Sequence, residues 1–290
     1  MTKKRWLILI PVIILAVIAF LYYENNAIGI TRYQLSSDKL PDGFDTYRIV
    51  QLTDLHSKSF GKEQSVITRK VKKLKPDLIV MTGDLVDSRR YNAEISLTLM
   101  RKMTELAPVY YVTGNHEWGS RFPALAKGLK ELGVHVMRNT SELVKLGDGE
   151  IRITGVDDPT FNHEADGDVE RINEHIGAAL EEADLSKERY SILLSHRPEL
   201  FSEYVRNQFD LTFSGHAHGG QVRLPFLGGL VAPGQGFLPR YDGGKYTEGE
   251  TTMIVSRGLG NSIIPQRLFN RPEVVLVELT AARGAASITQ

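Results

Sequence analysis

Tyr47-Arg48-Ile49-Val50-Gln51-Leu52-Thr53-Asp54-Leu55-His56 is the stretch that decides the fold. Its first six residues form a short, mostly apolar run, which reads as a strand. The run stops at a polar cluster that holds a carboxylate and an imidazole. The same figure recurs four times. A strand at 77–81 runs into Thr82-Gly83-Asp84-Leu85-Val86-Asp87, and one at 109–112 into Thr113-Gly114-Asn115-His116-Glu117. A strand at 190–194 runs into Ser195-His196-Arg197-Pro198. A strand at 210–213 runs into Ser214-Gly215-His216-Ala217-His218-Gly219-Gly220-Gln221.

The segments between these strands have helical spacing. Val66, Ile67, Val71 and Leu74 place one apolar face on a helix over 62–75. Further helices are expected over 92–106, over 122–132 with Gly133 as its stop, and over 169–181. Strands alternating with helices imply parallel pairing with helices on the faces. Past residue 134 strands dominate, at 134–137, 143–146, 151–154, 221–224, 252–255 and 273–279. The expected class is α/β, with two packed β-sheets flanked by helices. In such sheets ligands bind beyond the carboxyl ends of the strands, so five strands deliver their clusters to one edge. Asp54 and His56 are two apart, as are His216 and His218. In extended backbone each pair faces one side. Glycines 83, 114 and 215 precede candidate ligands and permit close backbone approach.

The N-terminus predicts a membrane anchor. Lys3, Lys4 and Arg5 precede an uncharged run over residues 6–23. A helix of that length just spans a bilayer core of ~30 Å. Trp6, Tyr22 and Tyr23 suit the two interfaces, and the basic cluster places the N-terminus in the cytoplasm. The rest of the chain then lies outside the cell membrane. A cleaved signal peptide is the competing reading, but bulky Phe20-Leu21-Tyr22-Tyr23 stands where small residues would be needed. Residues 1–23 are thus expected as an anchor, 24–45 as a stalk with a short edge strand at 30–35, 46–280 as one domain, and 281–290 as a frayed tail.

Composition narrows the chemistry. Formal net charge is zero, from 35 basic and 35 acidic residues, so no nucleic-acid partner is expected. With no cysteine, any metal must sit on histidine, carboxylate or amide ligands. Each cluster alone has a structural reading, as a turn or a helix start. Together they hold five of the eight histidines, always just after an apolar strand. His135 reads as structural and His175 as solvated. His163 lies in a loop that can border a substrate. The basic run 69–75 reads as the wet face of a helix, with attraction to an anionic membrane as the alternative. Arg257, Arg267 and Arg271 suit either a substrate phosphate or a brace within a loop.

The ordered series Asp-x-His, Gly-Asp-x-x-Asp, Gly-Asn-His-Glu, His and Gly-His-x-His resembles the calcineurin-like metallophosphoesterase superfamily over residues 46–280. Gly215-His216-Ala217-His218-Gly219-Gly220-Gln221, Ser256-Arg257-Gly258-Leu259-Gly260 and Arg271-Pro272-Glu273 resemble its bacterial subgroup with one N-terminal transmembrane segment. The resemblance implies a sandwich of two mixed sheets. It also implies two divalent metal ions. Asp54, His56, Asp84 and His218 would hold one; Asp84, Asn115, His196 and His216 would hold the other, with Asp84 shared. Nitrogen and oxygen ligands suit Mn²⁺, Fe or Zn²⁺. Such a pair lowers the pKa of a shared water, and the hydroxide attacks phosphorus in line. His116 takes the family's role of assisting the leaving oxygen, and Asp87 a supporting one.

The expected function is therefore a membrane-anchored phosphoesterase acting on a phosphodiester or phosphomonoester, of lipid or cell-wall origin. One alternative is a UDP-2,3-diacylglucosamine-type pyrophosphate hydrolase, which needs the opposite topology. A nuclease and a non-enzymatic tethered binding domain are weaker alternatives.

Overall fold

The computed structural model describes residues 3–119, 121–160, 167–181, 189–262 and 264–282. Helix α1 (Lys3–Asn26) carries the apolar run and leads into strand β1 (Gly29–Ser37). Next come β2 (Tyr47–Leu52), α2 (Ser65–Leu74), β3 (Leu78–Thr82), α3 (Ala93–Thr104), β4 (Val109–Val112), α4 (Phe122–Glu131) and β5 (His135–Val136). The second half contains β6 (Thr140–Leu146), β7 (Gly149–Gly155), α5 (Asp168–Glu181), β8 (Ser191–Leu194), α6 (Phe201–Arg206) and β9 (Leu211–Ser214). Two small hairpins follow, β10 (Arg223–Leu224) with β11 (Gly228–Gly229), and β12 (Val231–Ala232) with β13 (Gly236–Phe237). The chain closes with β14 (Gly244–Glu248), β15 (Thr251–Val255) and β16 (Glu273–Ala281).

Two six-stranded mixed sheets result, in the orders β1-β16-β2-β3-β4-β5 and β14-β15-β9-β8-β7-β6. In the first, β2 to β5 are parallel and β16 runs against β2. In the second, β15, β9, β8 and β7 are parallel, with β14 and β6 antiparallel at the edges. Side-chain alternation explains the packing. Ile49, Leu78, Val80 and Val112 of the first sheet share one buried cluster with Ile153, Ile192, Leu194, Phe213 and Ile254 of the second. Their neighbours Val50, Leu52, Ile79, Met81 and Tyr111 point the other way, under α2, α3 and α4. Leu193, Met253 and Val255 face α5 and α6. The central strands are buried on both faces, as parallel strands under helices must be.

Local signals set the helix ends. Asn92 Oδ1 accepts the Ile95 N–H and caps α3. Gly133, at φ 79°, ends α4 as expected. Its N–H reaches Lys130 O, and the Val134 N–H reaches Leu129 O, which is a Schellman closure.

Three expectations need correction. Helix α1 runs to Asn26 rather than stopping at residue 23. Within residues 24–45, the edge strand expected at 30–35 is longer, with β1 pairing with β16 from Gly29↔Glu273 to Ser37↔Ala281, and Glu24 is buried, so the segment is part of the domain rather than a stalk. The strand expected at 221–224 is instead one arm of the first small hairpin. Of the tail, Ala281 still belongs to β16; residues 283–290 lie outside the described residues, as does His163.

Candidate metal centre

Strands β2, β3 and β4 end side by side, as do β8 and β9, and the five following loops interlock. The Asp54 N–H donates to Gly83 O at 3.0 Å, the His56 N–H to Asp84 O at 3.0 Å, and the Gly215 N–H to His196 O at 3.0 Å. Three glycines make this approach possible. A Cβ on Gly83 would lie 2.6 Å from His196 Nδ1, and one on Gly215 would lie 2.5 Å from Asp54 Oδ2. A Cβ on Gly114 would collide with the Asp84 carboxylate.

The loops bring the candidate ligands into two groups that share a residue. Asp54, His56, Asp84 and His218 form one; Asp84, His196 and His216 form the other, with the donor atoms of each within 4.8 Å of one another. In the first, His218 Nε2 lies 3.0 Å from His56 Nε2 and 3.3 Å from Asp54 Oδ1. Asp84 Oδ2 lies 3.5 Å from His56 Nε2 and 3.3 Å from His196 Nε2. In the second, His216 Nδ1 lies 3.1 Å from His196 Nε2. The His196 Nδ1–H donates to Thr82 O at 2.8 Å, which leaves Nε2 free to bind.

The backbone differs from expectation. Asp54, His56, Asp84, His216 and His218 have φ of 52°, 50°, 50°, 64° and 49°. They sit in the left-handed region, not in extended strands, so period-two alternation is not what brings the pairs together. Such conformations cost of order 1–3 kcal/mol each and persist only where the surroundings impose them. Here the interlocked loops impose them.

Charge is arranged around the shared carboxylate. Burial opposes a charge on Asp84, but His196 and His116 outweigh it and hold the carboxyl well below its usual range. Burial opposes a charge on His196 too, but Asp84 pushes it up to about 10. Burial pushes His56 down to about 3, and His216 and His218 well below their usual value. It pushes Asp54 up to about 7. Carboxylates and imidazoles without sulfur are a donor set for a divalent cation. Buried polar atoms ordinarily have hydrogen-bond partners, yet Asn115 Oδ1 has none. The residues present therefore fit a pair of cations.

His116 lies outside the two groups that share Asp84, but it forms a third cluster with His56 and Asp87, whose donor atoms also lie within 4.8 Å of one another. It is half-buried, its ring meets His56 edge-on at 4.5 Å, and its N–H donates to Asp84 Oδ1 at 2.8 Å. Its Nδ1 accepts the Ser88 N–H at 3.1 Å, so the neutral ring carries its proton on Nε2. Glu117 is buried beneath. Its Oε2 accepts from Gly114 N at 2.6 Å and Asp84 N at 2.9 Å, joining two ligand loops. Asp87 accepts from the Arg89 and Arg90 N–H groups, and its Oδ2 lies 3.8 Å from His56 Nδ1.

Several supports were not legible as such in the sequence. Arg267 is fully buried, donates to Gly260 O and Arg257 O, and reaches 3.5 Å from His218 Nδ1. Asn270 Nδ2 donates to His218 O at 2.7 Å. Glu199 lies 3.7 Å from His216 Nε2. Arg257 pairs with Glu273 at 2.6 Å, and Arg271 donates to the Tyr23 hydroxyl at 2.7 Å. All three arginines therefore brace the protein. His135 is structural, bonded to Glu142 and stacked on Tyr110. His175 is half-buried against Asp157 O rather than solvated.

Known proteins share this layout. A family model described as calcineurin-like phosphoesterase matches residues 47–220. The uncharacterized metallophosphoesterase YkuE of Bacillus subtilis is 31% identical over 89% of this chain and 87% of its own length. The phosphodiesterase YaeI of Escherichia coli is 28% identical over 89% of this chain and 90% of its own. A transmembrane protein with metallophosphoesterase domain from Bos taurus is 29% identical over 88% of this chain and 57% of its own. This chain belongs to the calcineurin-like phosphoesterases and is a phosphoester hydrolase.

Proposed function

We propose that this protein is a membrane-anchored phosphoesterase whose centre holds two divalent metal ions, Mn²⁺, Fe or Zn²⁺. Asp54, His56, Asp84 and His218 hold one, and Asp84, Asn115, His196 and His216 hold the other. The observation that carries the reading is the convergence of two donor groups on the Asp84 carboxylate, whose Oδ2 lies 3.5 Å from His56 Nε2 in one and 3.3 Å from His196 Nε2 in the other. When bound, such a pair activates water and offsets charge on the phosphoryl group. The chain's own residues do the rest. Thr82 O orients His196 through Nδ1. Glu117 keeps the Asp84 and Asn115 loops in register. His116 presents the Nε2 proton toward the leaving oxygen, which departs as an alcohol.

The substrate is a phosphodiester or a phosphomonoester, not a nucleic acid. The relative named as a phosphodiesterase favours the diester. Anchoring rests on α1, whose segment Ile8–Asn26 has a mean hydropathy of 2.1. The basic residues before it favour an N-terminus in the cytoplasm and a catalytic domain outside. A panel of soluble mono- and diesters, assayed with each metal, tests the activity; no turnover on any of them contradicts it. A reporter fused after Gln290 tests topology, and cytoplasmic reporter activity overturns the orientation.

A further inference from the structure

The C-terminal end of α1 is docked onto the catalytic domain beside the metal centre. Glu24 Oε2 accepts from Asn270 N at 3.1 Å, and Asn25 Oδ1 from Arg267 N at 2.8 Å. Gln266 Nε2 donates to Leu21 O at 3.1 Å, and the Phe20 ring lies 5.7 Å from that of Phe269. The loop that carries Arg267 and Asn270, both supports of His218, therefore follows the last two turns of the apolar helix. A cleft of about 300 Å³ opens at this junction, lined by Asn25, Asn26, Lys58, Arg90 and Asn261, and it reaches His56.

Exposed apolar side chains lie in the segments joined to this loop. Val222 bridges to Leu268, next to Phe269, and from there the chain enters the two small hairpins. The turn of the first hairpin exposes Phe226 at 107% and Leu227 at 66%, and the end of the second exposes Phe237 at 72% and Leu238 at 53%. Phe269 is 54% exposed even with Phe20 against it. Single exposed apolar residues are ordinary. Exposed aromatic hairpins linked through Leu268 and Phe269 to a helix segment only 6% buried point to a shared apolar surrounding.

We infer that this face of the domain lies on the bilayer, with Phe226, Leu227, Phe237, Leu238 and Phe269 seated in it, and that the cleft takes the phosphate headgroup of a lipid. Helix geometry sets the depth. Six residues separate Phe20 from Asn26, about 9 Å at ~1.5 Å per residue. If Phe20 lies at the edge of the hydrocarbon, Asn25 lies ~7.5 Å beyond it, within a headgroup layer roughly 5–8 Å thick, and Asn26 stands at the outer border of that layer. Lys58 Nζ donates to Asn25 O at 2.6 Å and Arg90 Nη2 to Asp87 Oδ2 at 2.9 Å, and the donors they have left would meet phosphate in the cleft. The inference rests on the anchoring proposed above.

The cysteine-free sequence allows single-site spin labelling of the full chain in phosphatidylcholine–phosphatidylglycerol vesicles. Labels at Phe226→Cys and Phe237→Cys should collide with oxygen and escape a water-soluble nickel chelate, like a label at Ile14→Cys in α1. A label at Leu146→Cys, on the distant β6–β7 turn, should behave oppositely. Lipid-like Ile14 with chelate-accessible hairpins overturns the inference and leaves the anchor standing. Hairpins shielded from both reagents mean a protein partner or a second copy, and also overturn it. A chelate-accessible Ile14 overturns the anchor and the inference together.

Kinetics test the substrate class. Replacing Phe226, Leu227, Phe237 and Leu238 with serine should leave hydrolysis of free bis(4-nitrophenyl) phosphate unchanged. Hydrolysis of a 4-nitrophenyl phosphodiester lipid in vesicles should fall about tenfold or more, because membrane seating scales with buried apolar area. Equal effects on both esters, or no lipid hydrolysis by the unmodified chain, contradict lipid entry.

Discussion

His116 is the residue on which the division between binding and chemistry turns. It lies outside the two donor groups that meet at Asp84, and its Nδ1 is occupied by the Ser88 N–H. His116→Ala should therefore keep its metal while turnover falls by roughly 10²–10⁴, the usual range for a lost general acid. Metal content measured beside kcat checks this, and metal loss in that variant would make His116 a ligand instead. The candidate ligands were legible because each stands directly after an apolar strand. Their backbone was not. Spacing suggested extended pairs, but positive φ at Asp54, His56, Asp84, His216 and His218 depends on loops distant in sequence. Arg267 was equally ambiguous, since burial decides whether an arginine meets phosphate or carbonyls, and burial is a property of the whole fold.

At the level of elements, the central strands carry both the core and the site. Leu194 is fully buried between the sheets and lies two residues before His196. Leu194→Ala should lower unfolding free energy by about 2–5 kcal/mol in denaturant melts, through lost burial and the cavity left behind. A change below ~1 kcal/mol would mean the two sheets are not packed there. The strand–helix alternation of the first half was readable because short, mostly apolar runs give way to helical spacing at each boundary. Pairing of β1 with β16 was not, because it joins residues near both ends of the domain. The hairpins β10–β13 also escaped notice, since each strand has only two residues and no periodicity.

On the scale of the molecule, helix α1 and the candidate metal centre form one structure. Glu24 and Asn25 hold Asn270 and Arg267, which in turn hold His218 and its loop. Removing residues 1–26 should weaken metal retention more than removing residues 1–20, which leaves those contacts in place. Dialysis against a chelator, followed by metal analysis, distinguishes the two; equal retention would make α1 a passive tether. The two-metal reading itself is tested most directly by metal content and phosphodiester turnover of the full chain beside Asp84→Ala. Unmodified protein should carry about two ions, as a shared-carboxylate centre requires. Asp84→Ala should lose both metals and activity, whereas a variant that keeps both and still turns over would contradict the shared role of Asp84.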